Sequence, residues 1–305
     1  MKRPDFFVAG APKSGTTALS EYLRQHPNVF FSEPKELNYF CEDFDGHRMI
    51  RDRAAYEAMF ADAGAEHSRV GEGSVLYLYS AVALEGIRDF NPDARIIVML
   101  RNPVDMIPAL HQQFLAALYE DEPSLERAWS LQSARAQGRH IPRLCRQPEL
   151  LAYRRIGRLG EQIDRLWKVF PREQTLVILF DDFVADTRKV YREVLDFLGL
   201  DDDGRTEFPR VNEAHALRTG VSGWLVRNMP AFIRDCVTRL RYTRMGRGIP
   251  ALADRLLKRP QARDRLSPEF RRELIRAFED DITQLGVLLG RDLSGWVRQQ
   301  PPDQA

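Results

Sequence analysis

The amino-acid sequence predicts an α/β fold: one domain over residues 1–305 with a central, mainly parallel sheet and helices on both faces. Three continuous apolar runs, residues 5–10, 95–100 and 175–180, are predicted strands, because such runs are typical of central strands that helices cover on both sides. The first two runs are followed by a turn and a helical pattern, the order typical of parallel α/β folds. No internal repeat or low-complexity linker divides the chain, so one domain is the simplest interpretation.

The elements follow in order along the chain. After the first strand, a loop of small residues over 11–17 leads into a predicted helix over 17–26, where a proline follows. Residues 152–170 and 187–198 have helical periodicity, and Gly199 is placed to end the second of these helices.

Composition and charge exclude several classes of protein. The 305 residues carry a net charge of only +1, so a globally basic nucleic-acid binder is not expected. Cys41, Cys145 and Cys236 are far apart and odd in number, with neither metal-ligand spacing nor a disulfide pattern. The apolar run over residues 6–9 is too short for a signal peptide, and no stretch approaches a membrane span. We therefore expect a soluble, cytoplasmic protein.

The segment 218–266 differs from the rest of the chain in charge. It contains twelve arginines and lysines against three aspartates, a net charge of +9 within a nearly neutral protein. We predict a basic helical segment that forms part of a cofactor lid and acceptor wall. A solvated helical face and a membrane-binding surface remain alternatives.

The sharpest local signal is Gly-Ala-Pro-Lys-Ser-Gly-Thr-Thr at residues 10–17, between a strand and a helix. Small residues let backbone N–H groups converge, and the helix N-terminus adds partial positive charge. Lys13 supplies a mobile cation, while Ser14, Thr16 and Thr17 supply hydroxyl groups. Such a P-loop-like segment is suited to a phosphate or a sulfate.

A nucleoside-triphosphate loop is the main competing interpretation of this segment. That loop needs Gly-x-x-x-x-Gly-Lys-Ser/Thr. Gly10 and Gly15 have the required spacing, but Thr16 stands where the lysine belongs and the lysine is at position 13. A nucleotide phosphotransferase is therefore disfavoured, and a purely structural turn is a further alternative.

Four ordered blocks resemble one known family. Residues 12–17 resemble the 5′-phosphosulfate loop of sulfotransferases that use 3′-phosphoadenosine 5′-phosphosulfate (PAPS). Residues 101–105 resemble the family's 3′-phosphate segment, and 179–200 resemble its later strand-and-helix block. Residues 289–296 resemble the closing segment of many bacterial members. The resemblance extends along almost the whole chain and includes glycan-type members.

The resemblance implies roles for the residues that match. Lys13 is expected to stabilise charge on the bridging oxygen as the S–O bond breaks, and Arg101 to bind the 3′-phosphate with two N–H groups. The cofactor-binding residues implied are Pro12, Lys13, Ser14, Gly15, Thr16, Thr17 and Arg101, with Arg218, Thr219 and Gly220 in a loop that closes over the 3′-phosphate. The cofactor product would be 3′-phosphoadenosine 5′-phosphate (PAP), and no metal is implied.

Two positions depart from the family pattern. The family usually has a serine eight residues after the arginine, where this chain has Ala109, and the preceding Pro108 is expected to distort the helix. A later block commonly holds a lysine after its glutamate, whereas this chain has Gly73 after Glu72. We therefore expect a missing hydroxyl contact and no second lysine at position 73, with Glu72 and Ser74 lining the cleft.

Two residues compete for the role of general base. Residues 32–40 resemble the segment that carries the catalytic glutamate, which places that role on Glu36, with Lys35 beside it to tune the carboxylate or contact the acceptor. His111 is the rival, because it follows Arg101 by ten residues and histidine titrates near neutral pH. The choice stays open at this point.

The predicted reaction is in-line transfer of a sulfuryl group from PAPS to a hydroxyl or amine of a carbohydrate, glycolipid or secondary metabolite. Residues 44–65 and 112–151 are expected to shape the acceptor pocket. A non-catalytic PAPS- or anion-binding protein is the leading alternative. Membrane-surface transfer to a lipid through 218–266 is another. The sequence predicts no nucleic-acid partner and does not indicate an oligomeric state.

Overall fold

A five-stranded parallel sheet with the strand order β2-β3-β1-β4-β5 forms the centre of the fold. The computed structural model describes residues 2–209, 215–217, 258–260 and 266–298. The strands are β1 (Phe6–Gly10), β2 (Val29–Phe31), β3 (Arg69–Gly73), β4 (Arg95–Leu100) and β5 (Thr175–Leu179). The backbones of β6 (His215–Leu217) and β7 (Lys258–Pro260) form a separate antiparallel pair.

The helices of the described residues alternate with the strands. They are α1 (Thr16–Arg24), α2 (Arg53–Ala58), α3 (Ala83–Phe90), α4 (Pro103–Ala116), α5 (Leu125–Ser130), α6 (Gln132–Ala136), α7 (Tyr153–Ile156), α8 (Leu159–Val169), α9 (Phe180–Ala185), α10 (Thr187–Leu198), α11 (Pro268–Leu289) and α12 (Ser294–Val297). Short 3₁₀ turns lie at Glu42–His47, Pro148–Leu151 and Arg172–Gln174. No helix in this part of the chain combines the length and apolar composition needed to cross a membrane.

Side chains that alternate along the central strands build two hydrophobic cores. Phe7 of β1 faces the core that α3, α4, α8 and α11 complete. Its neighbours Phe6 and Val8 face the opposite core, with α1, α9 and α10. The same alternation occurs in β4, where Ile96 and Ile97 point to different faces. Both faces of the sheet are therefore covered, as its continuous apolar strands predict.

The connections around β1 and β4 create a crevice. The helix that follows β1, α1, packs on one face of the sheet, whereas α4, which follows the adjacent β4, packs on the other. In open parallel sheets such a reversal leaves a cleft at the carboxyl ends of the two strands, where ligands bind. We call this place the crevice.

The predicted α/β fold with a parallel sheet is confirmed. β4 and α10 have the predicted bounds, and Gly199 ends α10 with a φ of 67°. The helix predicted over 152–170 is instead two helices, α7 and α8. The chain turns between them at Gly157, whose missing side chain leaves room for the ring of Phe278.

Two strands of the central sheet were not predicted from the sequence. β2 is only three residues long, and β3 has the sequence Arg-Val-Gly-Glu-Gly, which contains no apolar run. The prediction of a single domain over 1–305 stays a prediction. Most of the predicted basic helical segment 218–266 lies outside the described residues. At residues 258–260, where its backbone is described, the prediction of helix is wrong, because this stretch pairs with β6 as the strand β7.

Pro108 does not interrupt α4, which runs from Pro103 to Ala116. This proline lacks only the N–H that would bond to the carbonyl of Val104, in the first turn of the helix. The helix is therefore continuous through the proline. Ala109, where the family usually has a serine, is half-buried in the second turn of this helix.

Candidate active site

The anion-binding loop predicted at residues 10–17 lies between β1 and α1, at the crevice. Gly15 precedes α1 with a φ of 90°, and a Cβ there would lie 3.1 Å from the Phe180 ring. Both the backbone and the close ring therefore require glycine. Ser14 is fully buried, and its hydroxyl donates to the Pro12 carbonyl at 3.2 Å. No side chain caps α1, so its first N–H groups can bind an anion.

Lys13 and Arg101 come together across the crevice. Arg101 directly follows β4, and its Nη1 donates to the carbonyl oxygen of Lys13 at 3.3 Å. The guanidinium carbon lies 4.8 Å from the centroid of the Phe180 ring, within the range of a cation–π interaction. One cation thus follows each of the two central strands, and an aromatic ring at the start of α9 supports the arginine.

The end of the described chain braces this arrangement through a segment that we call the C-terminal clasp, residues 291–296. The buried side chain of Asn102 donates to the Trp296 carbonyl at 3.0 Å, and the Trp296 indole donates to Asp181 at 2.9 Å. Arg291 binds both carboxylate oxygens of Asp182, at 2.9 and 3.1 Å. The clasp therefore joins the residue after Arg101 to the two residues after Phe180.

Glu36 lies beside the anion-binding loop. One oxygen of its carboxylate accepts from the Val75 N–H at 3.0 Å, and the other accepts from Lys35 Nζ at 3.0 Å. The same ammonium donates to Thr16 Oγ1, at the start of α1, at 3.2 Å. The candidate base is therefore connected to the loop through one lysine.

The backbone at this site is held in an unusual conformation. Among the described residues, five that are not glycine have positive φ, and three of them are Lys13 (58°), Glu36 (67°) and Asn38 (50°). Left-handed conformations cost such residues free energy, of the order of 1 to 3 kcal/mol each, and they cluster at functional sites. This clustering supports Lys13 and Glu36 as functional residues.

Glu72 supports the Glu36 segment from inside the protein. Its carboxylate is fully buried and accepts hydrogen bonds from Ser74 at 2.5 Å, Tyr77 at 2.8 Å and Tyr56 at 3.0 Å. Burial raises the pKa of Glu72 to about 7, although these hydroxyl groups oppose the increase. Ser74, also fully buried, accepts from the Asn38 N–H at 2.9 Å. Neither Glu72 nor Ser74 lines the cleft as expected.

His111 belongs to the helical layer around α4. Only 1% of the residue is exposed, and its Nε2 lies 2.9 Å from the Glu122 carbonyl, an arrangement that assigns the ring proton to Nε2. Its ring packs edge-on against Tyr153. Burial lowers the pKa of His111, which favours the neutral ring. These partners are unlike those of Glu36, which contacts the loop through Lys35.

The remaining predicted site residues are in two groups. Pro12 is buried, and Thr17 is half-buried in the first turn of α1. Arg218, Thr219 and Gly220 lie outside the described residues.

In the described part of the chain, no group of histidine, cysteine, aspartate or glutamate side chains is arranged to hold a metal ion. Two cations and the N-terminus of α1 supply donors that fit phosphate and sulfate oxygens, and the Glu36 carboxylate beside them can accept a proton.

Comparisons with known proteins agree with this geometry. A family model described as a sulfotransferase domain matches residues 3–213. The chain is 28% identical over 201 residues to heparan sulfate glucosamine 3-O-sulfotransferase 6 of Mus musculus, covering 65% of this chain and 52% of that protein. It is 25% identical over 305 residues to bifunctional heparan sulfate N-deacetylase/N-sulfotransferase 3 of Homo sapiens, covering 97% of this chain and 31% of that protein. The chain thus spans about half the length of these curated relatives, or less.

A solved structure extends the likeness beyond the matched family domain. The crystal structure of a sulfotransferase from Alicyclobacillus acidocaldarius has a TM-score of 0.70 and 28% sequence identity, and the match covers 98% of this chain and 100% of that one. The family model alone covers more than half of the residues. The chain therefore belongs to the sulfotransferase domain family.

Proposed function

We propose that this protein transfers a sulfuryl group from PAPS to a hydroxyl or amine acceptor. The observation that carries the proposal is the meeting of Lys13 and Arg101 at the crevice, where Arg101 Nη1 bonds to the Lys13 carbonyl at 3.3 Å. A nucleotide with phosphate groups at both its 3′ and 5′ ends needs two separate cationic sites, and these two residues supply them. PAPS, when bound, supplies the sulfuryl group and a phosphate leaving group.

The residues of the loop bind and stabilise negative charge. The N-terminus of α1 and the Ser14–Thr17 segment orient the 5′ group through backbone N–H and hydroxyl donors. With PAPS bound, the Lys13 ammonium would stabilise the negative charge that grows as the S–O bond breaks, and so would stabilise the transition state more than the ground state. Arg101 binds the 3′-phosphate, and Phe180 keeps its guanidinium plane in place.

Glu36 removes the proton from the acceptor. A hydroxyl is a weak nucleophile at neutral pH, and a positioned carboxylate accelerates such a reaction about 100- to 10,000-fold. The Val75 N–H and the Lys35 ammonium hold one oxygen each, so the carboxylate has a defined orientation next to the loop. His111 lacks a comparable connection to the loop among its described contacts, which favours Glu36 as the base.

The acceptor is proposed to be a carbohydrate, with glycolipids and secondary metabolites as further classes. Two relatives are heparan sulfate sulfotransferases, which supports a glycan. Phe44 and Glu149, from the ranges predicted to shape the acceptor pocket, line a cavity of about 200 Å³ with Arg155 and Arg165. Lys13, Glu36 and Arg101 are not among its lining residues, so this cavity does not bear on the choice of acceptor. The cytoplasmic location and the absence of a nucleic-acid partner stay predictions.

Calorimetric titration with PAP, compared with ATP plus Mg²⁺, tests the cofactor. We expect metal-independent binding of PAP that weakens about 10- to 100-fold in Arg101→Ala, because a charged hydrogen-bonding partner is lost. Lys13→Ala should lower the transfer rate about 100- to 1,000-fold. Lys168→Ala, which removes an exposed lysine paired with Asp164 on α8, is the matched control for loss of one positive charge.

Three outcomes would contradict the proposal. Tighter binding of ATP with Mg²⁺ than of PAP would indicate that residues 10–17 are the loop of a nucleotide phosphotransferase. PAP binding without transfer to hydroxyl, amine and glycan acceptors would favour a non-catalytic binding protein. Equal PAP affinity for Arg101→Ala and Lys168→Ala would show that Arg101 does not bind the 3′-phosphate.

A further inference from the structure

The side chain of Lys35 occupies space that Gly73 leaves open. A Cβ placed on Gly73 would lie 2.9 Å from Lys35 Cε and 3.3 Å from its Cγ, and also 3.1 Å from the Phe31 ring. The φ of Gly73 is not in the left-handed region, so its backbone would accept other residues. A side chain at position 73 would therefore have to displace the Lys35 side chain, which passes over the glycine.

Gly73 and the Lys35–Glu36 segment are joined by the backbone as well. The Glu36 N–H donates to the Gly73 carbonyl at 2.8 Å, and the Val75 N–H bonds to the Glu36 carboxylate at 3.0 Å. The end of β3 therefore fixes where the Glu36 segment lies.

The Lys35 ammonium connects the two halves of the transfer machinery. It donates to Thr16 Oγ1 at 3.2 Å and to Glu36 Oε1 at 3.0 Å. An ammonium has three N–H donors, so the partners named here use two of them. The Lys35 side chain is 13% exposed, unlike the exposed lysine in the pair Lys168–Asp164, which is 72% exposed. A partly desolvated, two-partner ion pair orients its groups more strongly than a surface pair.

We propose that Lys35 is a positioning residue that holds the Glu36 carboxylate against the phosphosulfate loop and places a second positive charge there, a role made possible by Gly73. The proposal rests on the proposed sulfuryl transfer. The acceptor proton goes to Glu36, and Lys35 takes no part in the proton transfer. The charge helps because negative charge develops beside the loop as the sulfuryl group leaves the phosphate.

Four variants test this role: Lys35→Met, Lys35→Ala, Gly73→Lys, and the double variant Lys35→Ala with Gly73→Lys. Lys35→Met keeps the stem and removes the charge, so we expect kcat to fall about 10- to 100-fold while the Kd for PAP changes less than about 3-fold. Gly73→Lys alone should lower kcat, because two side chains then compete for one space. In the double variant the new lysine takes the vacated space, and kcat should rise at least about tenfold above that of Lys35→Ala. Lys168→Met is the control and should keep the wild-type kcat.

A measurement independent of turnover separates this inference from the proposed function. Thermal unfolding of the wild type, Lys35→Met, Glu36→Gln and the combined variant Lys35→Met with Glu36→Gln forms a cycle, and we expect the shifts in Tm to be non-additive by about 1 to 3 °C. Additive shifts, a wild-type kcat in Lys35→Met, or no recovery in the double variant would overturn the role of Lys35. Wild-type protein that neither binds PAP nor transfers sulfuryl groups would instead overturn the proposed function, and the unfolding cycle would still decide whether Lys35 positions Glu36.

Discussion

The two sides of the crevice are built in different ways. The transfer side, Lys13, Lys35 and Glu36, comes from two segments near the start of the chain that are held by a few hydrogen bonds. The nucleotide side, Arg101 and Phe180 with the C-terminal clasp, is assembled from three segments that are far apart in sequence. The nucleotide side depends on packing between distant segments, whereas the transfer side combines left-handed backbone conformations with hydrogen bonds to the end of β3.

The two sides of the crevice are expected to serve different steps, sulfuryl transfer on one side and nucleotide binding on the other. Lys13 and Glu36 have left-handed backbone conformations, so their side chains are aimed by a backbone that is held under strain. Arg101 is held by an aromatic ring and by the neighbouring Asn102, whose side chain is tied to the clasp. We therefore expect changes on the transfer side to alter kcat, and changes on the nucleotide side to alter the affinity for PAP.

Glu36→Gln should have the largest effect. The amide keeps the shape of the side chain but does not accept a proton, so kcat should fall about 100- to 10,000-fold with little change in the Kd for PAP. Steady-state kinetics and calorimetry on the same preparation measure both quantities. His111→Gln, checked for folding by its thermal transition, is the comparison. A larger loss of kcat in that variant would move the base to His111.

Glu72 should make stability depend on pH beneath the transfer side. Burial raises its pKa to about 7 from an ordinary value of 4.5, so the folded protein binds this proton more tightly than the unfolded chain does. Its contribution is complete below about pH 4.5 and is lost as the pH rises through about 7. Relative to Glu72→Gln, which has no such proton, the wild type should lose roughly 3 kcal/mol of unfolding free energy between pH 4 and 8.

Urea unfolding of both proteins across that range measures the difference. Parallel curves for wild type and Glu72→Gln would show that the Glu72 carboxyl has the same pKa in the folded and unfolded chain. In that case Glu72 would not couple proton binding to the packing of the Glu36 segment.

Phe180→Leu should weaken the nucleotide side. Loss of the cation–π contact with Arg101 should raise the Kd for PAP about 2- to 30-fold, whereas kcat at saturating PAPS should change little. Phe180→Tyr keeps the ring and serves as the control. A fall in kcat with an unchanged Kd would show that Phe180 acts on sulfuryl transfer and not on PAP binding, and the division of the crevice into two sides would then be wrong.

Trp296→Phe should have the smallest effect. It removes the indole N–H that donates to Asp181 but keeps a ring in the buried position, so about 1 kcal/mol of stability should be lost. The Kd for PAP should rise about 2- to 5-fold, because the clasp then holds the segments around Arg101 and Phe180 less firmly. Trp167→Phe, which removes the indole N–H that donates to Thr175 Oγ1 at 2.9 Å, is the matched change outside the clasp. Equal Kd values for the two variants would show that the clasp does not contribute to the affinity for PAP.

Several parts of the molecule were predictable because their signals are local. β1, β4 and β5 are apolar runs, and the strand–loop–helix order around residues 10–17 predicts an anion-binding loop. Gly199 ends α10 as predicted, since a left-handed residue is readily formed by glycine. Lys13 and Arg101 each follow a predicted strand, so both could be expected at the carboxyl edge of the sheet, whereas only the structure shows that β1 and β4 are neighbours.

Other parts were not predictable, because long-range contacts decide them. β3 reads as a glycine-rich polar segment, yet the Phe6 ring packs over Gly71 and a fully buried hydroxyl cluster surrounds Glu72. The two-helix form of residues 152–170 depends on Phe278, more than a hundred residues later. No local pattern in the sequence indicates that Phe278 packs against Gly157.

The sequence by itself determined the fold class, the loop that carries Lys13 and the segment that carries Glu36, since each depends on residues close together in the chain. Only the tertiary structure decided that Lys35 lies over Gly73, that Phe180 supports Arg101, and that the clasp joins the ends of two strands. These contacts join residues whose separation in sequence carries no periodic signal. Their geometry exists only after the sheet has brought the segments together.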